Sequence, residues 1–397
     1  MLTVLFDLDD TLINNNADRF TRVYMDMLGK YLQPYIDAKV MEPFLLEGTR
    51  QMIYKTAVSG TLEDAFDRVF YPGIGISKET LAPALEDFYG RVFGELRSET
   101  SPMPGAANVV RECIARGWNV AVATNPLFPL AAVFHRLRWA DLDPETTPFS
   151  TLTAYESYHF AKPQPAYYAE VANRIATIDQ PVVMIGNDLK FDIYPAVKAG
   201  MPAYWLACPD ASLPSDLPQD CACGPIDGIL PWLEKIDSLP AYPRPVTSAA
   251  LLAFLRGGAA AIEALARSVP CEKWNLRTSE SEWCVTEILC HLRDVDREIN
   301  LVRINTILQE DQPFIAGIES DRWAEDRDYR HQNGIEALQG FFAARQSIID
   351  RLEGVSPEVW DKVIRHSIFG PTSLKELVGF TVNHDNNHIK QIKNQIF

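Results

Sequence analysis

Up to about residue 240, hydrophobic positions come in short runs separated by helix-length amphipathic stretches. Leu2 to Leu8, Asn119 to Thr124, Pro181 to Gly186 and Ala203 to Leu206 are apolar runs of strand length bounded by turn residues, which predicts a parallel α/β sheet. Between about residues 15 and 100 nothing reads as a strand. Phe20 to Leu32, Leu62 to Phe70 and Thr80 to Leu96 instead carry apolar residues at helical spacing, so a helical insertion is expected after the first strand. Pro209, Pro214 and Pro218 follow, then Leu239-Pro240-Ala241-Tyr242-Pro243-Arg244-Pro245, which reads as a linker. From Val246 the periods lengthen. Ser248 to Val269, Val285 to Leu308, Gly334 to Leu352 and Leu374 to Ile396 predict four long helices, the last opened by a Ser373/Glu376 capping box, and hence an up-and-down bundle.

The 397 residues suffice for two or three domains at about 150 residues each. With 47% hydrophobic and 23% charged residues, the chain should be folded throughout. It carries 53 acidic against 37 basic side chains, a net charge of −16 that opposes binding by counterion release. Nucleic acid and anionic membranes are therefore not expected partners. The start, Met1 to Phe6 and then Asp7, is too short and too soon acidic for a signal peptide, and no uninterrupted apolar run approaches the ~20 residues of a membrane helix. Seven scattered cysteines make a disulfide framework improbable, so the cytoplasm is the expected compartment. Cys221 and Cys223 could form half a metal site, but no second pair lies near them in the sequence.

Asp7-Leu8-Asp9-Asp10-Thr11 closes the first apolar run and places two carboxylates two apart at the carboxyl end of a buried strand, where open α/β sheets bind ligands. Three further parts follow in order, each beside an expected strand. Thr124-Asn125 supplies a hydroxyl and an amide for a phosphoryl oxygen, and Lys162 a positive charge for an anion. Gly186-Asn187-Asp188, with Asp192 four residues on, adds carboxylates suited to a hard divalent cation.

These four elements resemble the motifs of the haloacid dehalogenase-like hydrolase superfamily over roughly residues 1 to 235, including Pro104-Gly105 before the second. The resemblance implies a Rossmann-like core, 1–14 and 100–237, with a helical cap inserted at 15–99. It implies Asp7 as nucleophile, Asp9 as general acid/base, Thr124 as phosphate binder with Asn125 beside it, and Lys162 as charge stabiliser. Mg²⁺ would be held by Asp7, Asp9 through its carbonyl, Asp188 and Asp192. Carbon–halogen cleavage does not need the acid/base at Asp9, so the expected reaction is hydrolysis of a small phosphorylated metabolite through an aspartyl-phosphate.

Five of the seven histidines lie after residue 290. Within the apolar stripe Ile288, Leu292, Val295, Ile299, Val302, His291 faces inward; the stripe Leu374, Leu377, Thr381 continues into His384 and His388. An i,i+4 imidazole pair plus a third from another helix can chelate one ion and leave a coordination position open. His331 and His366 fall in expected loops and off the stripe.

The segment 248–397, behind a linker at 238–247, resembles the DinB-like metal-binding four-helix-bundle family through Trp283, Glu287 to Asp294, Gly370 to Leu374 and His384 to His388. Cys284 departs from the family, where Ser or Thr more often caps this helix. The resemblance implies a divalent transition metal such as Zn²⁺ or Ni²⁺ on His291, His384 and His388. Two rival roles follow for the bundle: the main catalyst, as a metal-dependent thiol transferase or hydrolase, or a non-enzymatic metal-sensing module through which a homodimer forms.

Overall fold

The computed structural model describes residues 1–175, 180–239 and 247–396. Most of the expected linker therefore lies outside the described residues. Contacts divide the chain into two compact units, one of residues 1–56, 60–167 and 180–239 and one of 57–59, 168–175 and 247–396. Two short stretches, 57–59 and 168–175, thus group with the bundle rather than with the cap and core to which the linker boundary assigned them.

In the first unit the strands are β1 (Thr3–Phe6), β2 (Ile13–Asn15), β3 (Thr100–Pro102), β4 (Asn119–Val122), β5 (Thr151–Leu152), β6 (Val182–Gly186), β7 (Ala203–Leu206) and β8 (Ala222–Gly224). Six of them form a parallel sheet in the order β5-β4-β1-β6-β7-β8. β1 is central and buried along its whole length, as a strand covered on both faces must be, which is why it reads as an unbroken apolar run. Thr151–Leu152 and Ala222–Gly224 escape the sequence pattern because edge strands of two or three residues have no periodicity to show. The ribbon β2–β3 is antiparallel, with Asn14 opposite Ser101, and ties the two ends of the insertion together.

The insertion holds α1 (Ala17–Leu32), α2 (Ala38–Tyr54), α3 (Leu62–Ile74) and α4 (Lys78–Gly90), followed by a 3₁₀ segment, Val92–Glu99. Asn16, Asp37, Thr61 and Ser77 cap the four helices, Thr61 in a capping box with Asp64. α2 is the helix the sequence did not announce: Pro43 interrupts it, and only Met41, Gly48 and Met52 are buried. It packs on α3 at two glycines. A Cβ on Gly48 would lie 2.7 Å from the Phe66 ring, and one on Gly73 2.2 Å from the Phe44 ring. Helices α5 (Ala106–Ala115), α6 (Leu130–Trp139), α8 (Tyr194–Lys198) and α9 (Ile229–Asp237) alternate with the strands, and α7 (Pro165–Ile175) starts in this unit while its residues from 168 on group with the second.

In the second unit the long helices are α10 (Ser248–Ser268), α11 (Val285–Val295), α12 (Leu301–Gln309), α14 (Gly334–Leu352) and α16 (Leu374–Ile396), with the short α13 (Trp323–Asp326) and α15 (Pro357–Trp360) in the connections. A π-helical turn, Asp296–Asn300, joins α11 to α12, so the expected single helix over 285–308 is continuous but locally underwound. The Ser373/Glu376 box is present, with Glu376 Oε2 accepting from Ser373 N at 2.7 Å.

The up-and-down expectation is corrected. α10 packs on α16 and α14, and α11 on α14 and α16, which leaves consecutive helices α10 and α11 on a diagonal. Gly334 faces Thr286, Gly340 faces Arg293 and Arg345 meets Asp296, so α11 and α14 run parallel. Parallel neighbours need a return as long as the helix, and residues 310–333 supply it. Nor is the unit purely helical: β9 (Phe314–Ile315), β10 (Val363–His366) and β11 (Gly370–Ser373) make a small sheet in the order β11-β10-β9. α10 is long and apolar enough to cross a membrane by composition, but most of it is buried in the bundle.

Candidate active site and candidate metal centre

The adjacent tips of β4, β1 and β6 carry the first constellation. Ala123 N donates to Phe6 O at 2.7 Å and Asp7 N to Ile185 O at 2.9 Å, which holds the three tips level. Asp7 follows β1 directly and is buried. The Lys162 ammonium, itself buried, lies 2.6 Å from Asp7 Oδ1 and 2.6 Å from Asp192 Oδ1. Asn125 Oδ1 accepts from Lys162 N at 3.2 Å and so places the lysine. Thr124 is buried at the end of β4, its carbonyl held by Thr153 Oγ1 at 2.8 Å and Tyr167 OH at 2.6 Å. Gly186 is what admits Asp192, since a Cβ there would lie 2.4 Å from Asp192 Oδ2.

Asp9, two residues on, is half-exposed and ion-paired to the buried guanidinium of Arg136, with Asn15 Nδ2 donating to it at 2.9 Å. Asp188 joins through its backbone: its amide donates to Asp192 Oδ2 at 3.0 Å, while its own Oδ1 accepts from Lys190 N and Phe191 N at 2.7 and 2.9 Å. The structure thus brings Asp7, Lys162 and Asp192 into direct contact with Asn125 behind them. Asp9 is drawn toward Arg136, and the carboxylate of Asp188 is turned onto the amides of its own turn.

Burial pushes the Asp7 carboxyl up to about 7, helped by Asp192 and Asp9 and opposed by Lys162. Asp9 goes the other way: burial resists ionisation, but the Arg136 charge and the hydrogen bonds from Arg136 and Asn15 hold its carboxyl below the usual carboxylate range. A single ammonium thus serves both Asp7 and Asp192, two carboxylates to one cation. Oxygen donors with surplus negative charge fit a hard dication such as Mg²⁺.

Arg136 escaped the sequence reading, although a signal existed. On α6 it occupies the buried stripe Ala132, Val133, Arg136, Leu137, where a charge has no place without a partner. Among the cations of the cap, Arg50 is exposed beside Glu47. Lys55 is buried with its ammonium 5.3 Å from the centre of the Phe160 ring.

In the second unit His291 on α11 meets His384 and His388 on α16. His384 Nε2 is 3.0 Å from His291 Nε2 and 3.2 Å from His388 Nε2, so the three rings gather ligand nitrogens close enough together to share one ion. Such spacing suits imidazole nitrogens at roughly 2.0–2.1 Å from a shared ion. His388 Nδ1 donates to Gln391 Oε1 at 2.7 Å, which leaves its Nε2 lone pair facing inward. His291 Nδ1 is buried with no hydrogen-bond partner. Trp283 stacks on His388 at 6.0 Å between ring centres and 6° between planes, and walls one side. Burial pushes the basicity of His291 down to about 3 and of His388 to about 4; burial and the neighbouring imidazoles take His384 well below the usual value. Neutral nitrogens that cannot readily protonate fit a transition metal. His331 is exposed beside Asp328, and His366, buried in β10, accepts from Ile368 N and Phe369 N, so both stand outside the trio. Cys221 is buried, and Cys223 Sγ donates to Ala211 O. At the α11 start, Glu287 Oε2 accepts from Cys284 N at 2.9 Å, the reciprocal half of a capping box in which the thiol takes the place of the more usual hydroxyl.

A capped parallel α/β core with carboxylates and a lysine at its strand tips, joined to a three-histidine helical bundle, defines a hydrolase class. The chain belongs to the haloacid dehalogenase-like hydrolase family, whose pattern matches residues 1–200, and residues 255–392 match the DinB superfamily. It is 24% identical over 203 residues to a phosphoglycolate phosphatase of Xylella fastidiosa, covering 51% of this chain and 78% of that protein. It is 22% identical over 136 residues to the uncharacterised protein YuaE of Bacillus subtilis, covering 31% and 82%. Among solved structures, a HAD phosphatase from Thermococcus onnurineus covers 60% of this chain and 98% of its own at 17% identity and a TM-score of 0.38. YfiT from Bacillus subtilis, a four-helix bundle of unusual topology, covers 38% and 87% at 16% identity and a TM-score of 0.35.

Proposed function

We propose that the first unit is a Mg²⁺-dependent phosphatase that hydrolyses a small phosphorylated metabolite through an aspartyl-phosphate on Asp7. The observation that carries this reading is the buried Lys162 ammonium shared between Asp7 and Asp192 beneath the β1 tip. Asp7 Oδ attacks phosphorus, and Lys162 offsets the repulsion between the carboxylate and the phosphoryl oxygens. Thr124 and Asn125 hold those oxygens. Asp9 gives a proton to the departing alkoxide and regains one from the water that cleaves the acyl-phosphate, the two transfers closing one cycle. Asp7, Asp188, Asp192 and the Asp9 carbonyl would hold Mg²⁺, which supplies positive charge against the incoming phosphate. The relative named as a phosphoglycolate phosphatase supports the reaction type. The net charge of −16 provides no long-range attraction for a phosphate, so recognition is local. Seven free thiols suit the cytoplasm as the place of action.

The test is a panel of phosphorylated metabolites run on wild type and Asp7→Asn with and without Mg²⁺. Activity should require both, and Asp7→Asn should lose at least about a thousandfold in kcat, as expected when a nucleophile is removed. Wild-type turnover by Asp7→Asn would end the reading.

The second unit, in the same reading, binds a divalent transition metal such as Zn²⁺ or Ni²⁺ on His291, His384 and His388, supported by their converging Nε2 atoms. Metal analysis of the full chain should show about one ion in wild type and none in His384→Ala/His388→Ala; full loading of the double variant would exclude this site. Whether the bundle catalyses or senses is read from turnover of His388→Ala: unchanged phosphatase activity separates the two sites.

A further inference from the structure

A cavity of about 240 Å³ lies between the cap helices and the loop that follows β4. None of its lining residues carries a charge. Several of its hydroxyls are already satisfied: Tyr24 and Tyr89 bond each other at 2.7 Å, and Thr49 Oγ1 donates to Leu45 O at 2.8 Å. Most of the remaining wall is Leu, Met and Phe, with Met52, Phe66 and Phe70 among them, completed by Pro129 and by Thr21, Tyr71 and Tyr155.

Two chain segments link the cavity wall to the proposed catalytic groups. Leu127, Phe128 and Pro129 line it and follow Thr124-Asn125 after a single residue, Pro126; the Phe128 ring lies 5.5 Å from the Arg136 guanidinium that holds Asp9. Met52, Phe66, Leu127 and Tyr155 also line it, and they cluster with Ala161, the residue before Lys162. The end of α2 is fastened to the same segment, since Gln164 Nε2 donates to Ile53 O at 2.9 Å and to Lys55 O at 3.0 Å. The apolar space therefore opens beside the chain segments that place Asn125 and Lys162.

We propose that this cavity receives the alcohol part of the substrate, and that the substrate is a phosphate monoester of an apolar alcohol whose aromatic or branched hydrocarbon body exceeds a benzene ring. The proposal rests on the phosphatase reading of the Asp7 site. A cavity of about 150 Å³ already holds benzene, and this one is larger. Burial of a hydrocarbon body here supplies binding energy in proportion to its area. A carboxylate-bearing alcohol such as glycolate would instead lose its water to a wall with no cation to meet it. In the reaction the bond between phosphorus and the alcohol oxygen breaks, and water supplies both the oxygen that replaces it on phosphate and the proton the alcohol carries away.

Methyl, benzyl and 2-naphthylmethyl phosphate, together with phosphoglycolate, test this on the full chain with Mg²⁺, because all four release primary alkoxides. The expected kcat/KM rises from methyl to benzyl to naphthylmethyl, by about tenfold or more overall, with the naphthylmethyl ester above phosphoglycolate. Thr49→Trp, which fills the cavity from the α2 wall, should lower the naphthylmethyl-to-methyl ratio about tenfold. Leu85→Ala, which enlarges it from α4 and serves also if the tryptophan variant does not fold, should raise the naphthylmethyl-to-benzyl ratio. Preference for phosphoglycolate, or ratios that neither variant moves, would overturn the proposal. Turnover that survives Asp7→Asn, or none with any ester, would sink the phosphatase reading itself.

Discussion

Arg136 keeps Asp9 in the form of a base, and that has a consequence for pH. A carboxylate held below its usual range is ionised at neutral pH, so the protonated fraction that serves a poor leaving group grows as pH falls. In Arg136→Gln the Asp9 carboxyl should rise, and the optimum for alkyl phosphates should move to higher pH. Nitrophenyl phosphate, whose leaving group needs no proton, should show a smaller displacement. Equal displacement for both, or none, would show that Arg136 does not act through Asp9. Gly186 sets a second constraint at this scale. In Gly186→Ala the new methyl meets Asp192 Oδ2 at 2.4 Å against a buried wall, so Asp192 must leave Lys162. Activity should fall at least about tenfold, in line with the sensitivity of catalysis to small misplacements, with kcat hit harder than KM in steady-state assays.

Single elements gain their meaning from what crosses between them. Arg345, fully buried on α14, donates to Asp296 of the π turn at 2.7 Å, to Asp385 of α16 at 2.5 and 2.8 Å and to Leu255 O of α10 at 3.1 Å. One guanidinium thus joins the four long segments of the bundle, one residue away from His384. The π turn makes this possible by re-aiming Asp296, which Asn300 Nδ2 steadies at 2.9 Å. Arg345→Leu would leave two buried carboxylates without their counter-charge, a loss of about 3–5 kcal/mol for a broken buried pair. Thermal unfolding should show the second unit's transition much lowered and the first unit's unchanged. A small shift would mean that Asp296 and Asp385 take up protons at little cost.

At the scale of the molecule, the three histidines make the metal-free form sensitive to acid. Their folded basicity is depressed below the unfolded value of about 6.5. Above that pH neither state is protonated. As pH falls below it the unfolded chain takes up protons that the fold refuses, so stability drops by up to about 1.4 kcal/mol per pH unit for each imidazole. The thermal midpoint of chelated protein should therefore be lower at pH 5 than at pH 7.5, and His384→Leu/His388→Leu should narrow that difference. An unaltered difference would place the acid sensitivity elsewhere. Restored metal should raise the midpoint in wild type only, because an ion that binds the fold alone stabilises it.

Much of this was legible along the chain because it depended on local order. Strand-length apolar runs located β1, β4, β6 and β7, and the residues that close those runs, Asp7, Thr124 and Asp188, had to stand at one edge once the sheet was parallel; the strand order that makes them neighbours came from tertiary pairing. Helical period likewise put His291, His384 and His388 on core-facing stripes. The same rule, a polar side chain where Leu is expected, also marks Arg136 and Arg345, whose partners come from elements far away in sequence. Periodicity can say that such a residue is buried; only tertiary packing says what satisfies it. Packing alone decided that α11 and α14 run parallel, that Asp188 turns onto its own amides, and that the cap helices enclose apolar space. Each of these depends on distances between segments with no shared repeat, and a repeat is all that a linear pattern can carry.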